Sequence, residues 1–557
     1  MLSRRATLIA CCVITALLPM HAQTGQPAGR QESLASLIQR GERKAALDRI
    51  RGGADVNEPQ PDGTRPIHWA VYRVDYELLD ALIARKAKAD VTNEFGDTPL
   101  AEAVKVADRR MVKALLDAGA GVEGANLDGE TALMLAVKTG AVPVVQMLIG
   151  AGANVNTVEK QHNQTPLMYA AAADLHAGEM VRLLLAKGAD VRPRSLAYDW
   201  PSHISEEPRV QYHPFGGLTA LLYAARDGCY DCVEALVAAG ADVNVPTLQE
   251  GVTPVMIALD NDNNDVARFL LDHGANPHVW DWYGRTALYI AVDRKDGGSS
   301  GGGIRVPIDA SHSARASALD VIKTLLAANV DPDPELRMHR PTRGGYTGRF
   351  SDPLLDLGAT PLLRATLAND VDVMRLLLAK GASPNINAMG VTPFLVAAGL
   401  GGGGQRGGGP VPRGAGAGGG EPFAILDLLL EHGADVNTQV SGTKTYSMRI
   451  ARSPSTNEGM TALHVAAQSG RADLVRYLLA KGANPTVVDA NGRTPLDLVG
   501  NRSANPAPAA NSAGAGTAAA AGVATPAGGR GGRGEAQPAA ASLAEIRALL
   551  ERATSGK

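Results

Sequence analysis

The chain has 557 residues, a formal charge of −3 and only 4% aromatic residues. Without the two arginines of its first few residues, 52 basic stand against 57 acidic side chains, or −5, a balance that gives no electrostatic reason to expect a nucleic-acid partner. Its length would ordinarily suggest several globular domains, but an internal period replaces that expectation.

In chain order, residues 1–22 read as a secretory signal peptide. Arg4 and Arg5 precede an apolar run from Ala6 to Leu18 that is too short to span a bilayer comfortably, and Ala22 offers a small residue before a cut. Leu8-Ile9-Ala10-Cys11 has the form of a lipoprotein box but lies too early in the apolar run. Ser3-Arg4-Arg5 has the start of a twin-arginine signal and nothing else of it. The mature protein is therefore expected outside the cytoplasm, periplasmic or extracellular, with no further membrane span. Residues 23–30 are a linker. Residues 31–61 form a divergent first unit: Leu34, Leu37, Ile38, Leu47 and Ile50 make two apolar stripes, and the polar remainder suits an end cap.

From residue 63 onward one pattern returns. Thr followed by Pro or Ala and then an apolar residue, mostly T-P-L or T-A-L, recurs at Thr98, Thr131, Thr165, Thr219, Thr253, Thr286, Thr360, Thr392, Thr461 and Thr494, with Arg65 in the same place before Pro66. The spacings are 33, 33, 34, 54, 34, 33, 74, 32, 69 and 33 after Arg65, so three long gaps are one period plus an insertion. Each Thr can cap a first helix, with Pro or Ala in its first turn. In residues 459–491, Leu463, Ala466 and Ala467 give a short helix with small residues, and Gly470 breaks it. Leu474, Val475, Leu478 and Leu479 then share one face of a second helix, closed by a left-handed cap at Gly482. Gly53, Gly119, Gly152, Gly188, Gly240, Gly274, Gly381 and Gly433 repeat that cap; Asn329 and Lys86 replace it, the lysine at some cost in local stability. Asp62-Gly63, Asp128-Gly129 and Asn491-Gly492 mark tight turns of a hairpin between modules.

This pattern resembles the ankyrin repeat family, whose module has this length and a T-P-L-H-x-A signature; His68 and His464 alone keep its histidine. The resemblance implies an all-α repeat fold, an ankyrin solenoid of helix-turn-helix modules with projecting β-hairpin fingers. Ten helix pairs are expected between residues 63 and 491 in an array over 31–500, forming one elongated, curved stack with partial units at both ends. After a Gly/Ala/Pro-rich insertion at 501–541, a capping helix is expected over 542–553. Its Ser542 and Glu545 have capping-box spacing, and its Leu543, Ile546, Leu549 and Leu550 face inward.

Insertions fall into two chemical classes. Residues 297–314, 399–420 and 501–541 lie between the helices of a pair and are rich in Gly, Ala, Ser and Pro, as linkers are. Residues 191–216, 330–357 and 438–458 follow a second helix, where a finger projects. They carry Tyr198, Trp200, Tyr212, Phe215, Arg343, Tyr346, Arg349, Phe350, Tyr446 and Arg449, and one uninserted finger adds Trp280, Trp282 and Tyr283. Ten of the 22 aromatic residues thus sit in fingers, which marks these thirteen residues as the candidate partner-binding set. The alternative is that the rings pack on the helices as local cores.

The array carries no H-E-x-x-H or Walker pattern, and the Gly runs near residue 401 follow no strand, so no catalytic residue, cofactor or metal site is assigned. Cys229 and Cys232 form a single C-x-x-C. A second cysteine pair to complete a zinc site is missing, and Cys232 stands where other modules place a core Val, so the favoured reading is a packing role without chemistry, with a simple disulfide between Cys229 and Cys232 as an alternative. The leading expectation is a secreted or periplasmic, non-catalytic scaffold that acts as a monomer, and the resemblance implies that it binds protein partners through fingers and concave helix faces. The rival readings are a structural spacer, or a redox or metal protein using Cys229 and Cys232.

Overall fold

This computed structural model describes residues 32–198, 215–248, 250–295, 316–337, 358–388, 390–400, 423–441, 457–500 and 540–555. The expected signal peptide and linker lie outside them. So do residues 297–314, 401–420 and 501–539 of the Gly-rich insertions, and residues 199–214, 338–357 and 442–456 of the inserted fingers.

The chain divides into two compact units, residues 1–124 and 125–557. In the first, helices pair in sequence: α1 (Leu34–Arg40) with α2 (Arg43–Arg51), α3 (Pro66–Tyr72) with α4 (Tyr76–Ala84), and α5 (Pro99–Lys105) with α6 (Arg109–Asp117). The second begins with α7 (Ala132–Lys138) and α8 (Val142–Gly150), α9 (Pro166–Ala171) and α10 (Ala177–Ala186), and α11 (Ala220–Asp227) and α12 (Tyr230–Ala238). It continues with α13 (Pro254–Asp260) and α14 (Asn264–Asp272), α15 (Ala287–Lys295) and α16 (Ala318–Ala327), and α17 (Pro361–Ala368) and α18 (Val371–Ala379). The last pairs are α19 (Pro393–Ala397) with α20 (Ala424–Glu431) and α21 (Ala462–Ser469) with α22 (Ala472–Ala480), before α23 (Ala540–Ser555). A two-residue hairpin, β1 (Ala197–Tyr198) with β2 (Phe215–Gly216), is the one sheet among the described residues.

Helices of five to ten residues are marginal alone in water. Within each unit first helices pack on first helices of the next module, as α1 does on α3, α11 on α13 and α13 on α15, while second helices pack likewise, as α2 does on α4 and α14 on α16. The module at 459–491 buries Leu463, Ala466, Ala467, Leu474, Val475 and Leu478 completely. A buried Leu or Val contributes about 1.5–3 kcal/mol, so every module owes its stability to its neighbours.

Local signals set the helix ends. The hydroxyl of Thr98 accepts from the Ala101 N–H at 3.0 Å, and Thr131, Thr165, Thr219, Thr253, Thr360 and Thr392 cap in the same way. Gly482 closes α22 with φ 89°, where a side chain would be strained; Lys86 and Asn329 take the same turn at φ 64° and 55°. His68 and His464 span two modules. The Nδ1 of His464 accepts from the Thr461 N–H at 3.1 Å, and its Nε2 meets the Arg493 carbonyl at 3.1 Å; Arg65 and Asp97 hold His68 in the same way.

A ladder of side-chain amides ties the loops after the second helices. Asn244 donates to the Gly274 carbonyl at 3.2 Å and accepts from the Asn276 N–H at 2.7 Å. Asn57, Asn156, Asn385 and Asn437 make the same two bonds to the loop one module on.

The C-terminal end differs from expectation in two ways. Thr494 does not begin a full first helix. Its hydroxyl bonds Asp497 and only a 3₁₀ turn, Leu496–Leu498, follows. Ser542 is not an N-cap either: α23 starts at Ala540, and the Ser542 hydroxyl donates to the Gly470 carbonyl of α21's C-cap while Glu545 pairs with Arg476. Ile546 and Leu550 are fully buried, whereas Leu543 and Leu549 are half-buried.

Two outcomes are expected. Replacing Asn244 with Ala removes both ladder bonds, and a denaturant melt should show a loss of about 1–2 kcal/mol, the net worth of two partly exposed hydrogen bonds. Burial holds the His464 imidazole below its ordinary pKa of 6.5, so folding favours the neutral ring. The stability this ring contributes is present above that value and is lost as pH falls below it. The melting temperature of His464→Gln should therefore fall less than that of the parent between about pH 7.5 and about pH 5; equal slopes would show that this imidazole does not titrate on unfolding.

Candidate partner-binding face

Each finger is a short turn fastened to its own module, and six of them are also bonded to the finger before. Within the 280s finger, the Asp281 N–H donates to the Arg285 carbonyl at 2.9 Å. The Asp281 carboxylate accepts from the N–H groups of Tyr283 and Arg285 and from Arg285 Nε at 2.7 Å. Arg285 also pairs with Asp260 on α13 at 2.9 Å. Burial opposes the charge of this guanidinium, but the two carboxylates outweigh burial and keep it cationic. Asp489 and Arg493 repeat the arrangement.

From finger to finger runs one backbone bond each. Glu94 donates to the Asp62 carbonyl, Lys160 to Asp128, Leu196 to His162, Trp282 to Glu250, Arg337 to Tyr283 and Ala490 to Glu458, over 2.6–2.9 Å. The inserted fingers are closed at their bases. Ser195 donates to the Leu218 carbonyl, Leu336 to Ala359 and Val440 to Met460.

This scaffold sorts the thirteen candidate residues. Trp280 and Trp282 stand 55% and 54% exposed at a finger tip. Tyr283 does not join them, and this corrects its place in the binding set. It is 4% exposed, its ring lies 5.4 Å from the Arg285 guanidinium, and burial raises its phenol's pKa. The reversal of the tip after Trp282 turns residue 283 inward. Tyr198 and Phe215 are register partners across the β1–β2 hairpin. Trp200, Tyr212, Arg343, Tyr346, Arg349, Phe350, Tyr446 and Arg449 lie outside the described residues.

Beside Trp280 a groove of about 800 Å³ opens between successive fingers of the second unit. Pro277, His278, Asp331, Asp333, Glu335 and Arg337 contribute to its walls. The Arg337 guanidinium lies 5.1 Å from the centre of the Trp280 ring, so the start of the 330–357 insertion covers part of that indole. Sequence reading missed Arg337, although the finger-to-finger bond of its N–H to Tyr283 places it there. It also missed a run of exposed apolar tips, Leu127, Leu196, Leu248 and Val488, each close to the turn of its own finger.

Cys229 and Cys232 join in a disulfide at the N-terminus of α12, with Cα atoms 5.2 Å apart. Cys232 is fully buried at its core position, and Cys229 Sγ accepts from the Cys232 N–H at 3.3 Å, serving as the helix cap. Among the described residues no cluster of three or more His, Cys, Asp or Glu side chains could hold a metal ion, and no helix is long and apolar enough to cross a membrane.

Comparison with known proteins agrees with the repeat geometry. The family pattern described as "Ankyrin repeats (3 copies)" matches residues 67–159, 107–195, 158–247 and 221–299. "Ankyrin repeats (many copies)" matches 453–499 and "Ankyrin repeat" 357–388, so together these cover more than half of the sequence. The chain belongs to the ankyrin repeat family. Among curated ankyrin-matching relatives, the B-cell lymphoma 3 protein homolog of Mus musculus is 30% identical over 155 residues, 25% of this chain and 34% of that protein. The mitochondrial disaggregase of Homo sapiens is 33% identical over 181 residues, 31% of this chain and 24% of that protein. The chain thus spans about a third or less of these relatives' length. Among solved structures, the human ASB11 ankyrin repeat domain aligns at 22% identity and TM-score 0.35, covering 44% of this chain and 100% of that one. The ankyrin repeat domain of Bcl-3 aligns at 26% and 0.35, covering 43% and 98%. As an ankyrin array, the protein has the architecture of a protein–protein interaction scaffold.

Proposed function

We propose that this chain is an exported, non-catalytic scaffold that binds a protein partner across the fingers of its second unit, around Trp280 and Trp282. The observation that carries the reading is the pair of half-exposed indoles at one finger tip beside an open groove. Exposed large aromatics cost solubility unless something covers them, and Trp is among the side chains that most often anchor interfaces. Arg337 covers part of one ring and leaves over half of each in water. The acidic balance of the chain favours a protein over a nucleic-acid partner, and the protein acts as a monomer in this reading. Export rests on the charged start and short apolar run of residues 1–22.

Two outcomes follow. Trp280→Ala together with Trp282→Ala should leave the melting temperature and helicity nearly unchanged, since neither ring is buried, while affinity capture of the partner weakens by about 2 kcal/mol or more, roughly thirtyfold. Undiminished capture by the folded variant would move the interface to the concave helix faces. Intact mass of the exported protein should show a new N-terminus near Gln23; full-length chain retained in the cytoplasm would overturn export.

A further inference from the structure

The position of the ladder asparagine is a carboxylate in some modules, Asp90, Glu123 and Asp333 among them, and Asp333 has an oxygen that is buried without a partner. In the sequence Asn329-Val330-Asp331-Pro332-Asp333, Asp333 holds the place of Asn244, Asn385 and Asn437. One of its oxygens behaves as theirs do: Oδ2 accepts from the Ser383 N–H at 2.8 Å, as Asn385 Oδ1 accepts from the Asp435 N–H. The other cannot. Where Asn385 donates its Nδ2 to the Gly433 carbonyl at 2.8 Å, Asp333 presents Oδ1, and the corresponding carbonyl one module on is that of Gly381. An ionised carboxylate has no proton to give a carbonyl. Asp333 Oδ1 is closed off from solvent and has no hydrogen-bond partner. An orphaned buried acceptor at a point where the asparagine rungs place a donor calls for a proton.

We propose that Asp333 is a proton-operated joint between neighbouring modules. Protonated on Oδ1, its carboxyl donates to the Gly381 carbonyl and completes the rung as an asparagine does. Ionised, it leaves the rung half-made and loosens the loop 381–388 against the 331–337 segment, two walls of the groove beside Trp280.

The surroundings favour the neutral form. Burial is the largest influence and raises its pKa. The Ser383 N–H opposes this, while Asp331 and Glu335 on its own segment add to it. His278 of the preceding module lines the same groove, and the nearby Arg337 guanidinium is placed over Trp280. The loop 381–388 carries no ionisable side chain. Because the folded chain holds the proton more tightly than the unfolded one, the contribution of this rung is full at pH below the ordinary carboxyl value of 3.8. It is lost as pH rises through the raised one.

The test uses the full mature chain and Asp333→Asn, which supplies the missing donor at every pH. Amide hydrogen exchange over residues 381–388 and the melting temperature are read at about pH 7.5 and at about pH 3.5, the lower lying below the ordinary carboxyl value of 3.8. At the higher pH the variant should exchange about tenfold more slowly in this loop and melt higher, as one restored buried hydrogen bond requires. At the lower pH the two proteins should converge. An equal difference at both values, or none at the higher one, would overturn the proposal. Asp333→Ala, which lacks both the donor and the Ser383 acceptor, should exchange faster than the parent at both values; Ala behaving as Asn does would show that no donor is used and would equally overturn it.

Discussion

Short helices that cannot stand alone must be held against each other in register, and that requirement governs the rest of this protein. First helices of seven or so residues expose most of their backbone ends, and only the next module removes their apolar faces from water. Burial alone is non-directional and would let neighbouring modules slide. Direction comes from polar bonds that reach across modules at three heights: the buried histidines at the start of the first helices, the backbone bonds between fingers, and the amide ladder behind the second helices. Each is modest in energy, and each accepts one geometry only.

The same division explains where length is tolerated. Where the chain leaves α15 for the stretch before α16, ion pairs fasten the end of α15 to the next module: Arg364 with Asp293 at 2.7 Å, Lys295 with Asp370 at 2.6 Å. Those pairs join side chains more than seventy positions apart in sequence.

Much of this was legible in the sequence because it repeats. A Thr before Pro-Leu and a Gly after a leucine-rich run are local instructions, and their recurrence fixed helix ends from Thr98 to Gly482 without reference to tertiary contacts. Less was legible where a residue's role depends on a neighbour one module away. Tyr283 reads as one more finger aromatic, yet the turn set by Asp281 and Arg285 directs it inward. Ser542 and Glu545 have the spacing of a cap but are engaged with Gly470 and Arg476. Asp333 looks like any other acidic loop residue until the asparagines on neighbouring rungs show what its second oxygen should have been. Trp280 and Trp282 were found because their exposure follows from position in an uninserted finger, a local property.

The closed finger bases carry a consequence for how such a chain can change. At the second of them, the backbone leaves at Leu336 and comes back at Ala359 across a single hydrogen-bonded pair, with Gly358 returning a bond to the Leu336 carbonyl. Departure and return share one doorway, so the stack senses only whether the door is shut. Whatever is threaded through it, whether two residues or a whole folded guest with adjacent termini, imposes no displacement on α16 or α17. The fingers are thus grafting points, where new recognition chemistry can be acquired without renegotiating the architecture that presents it.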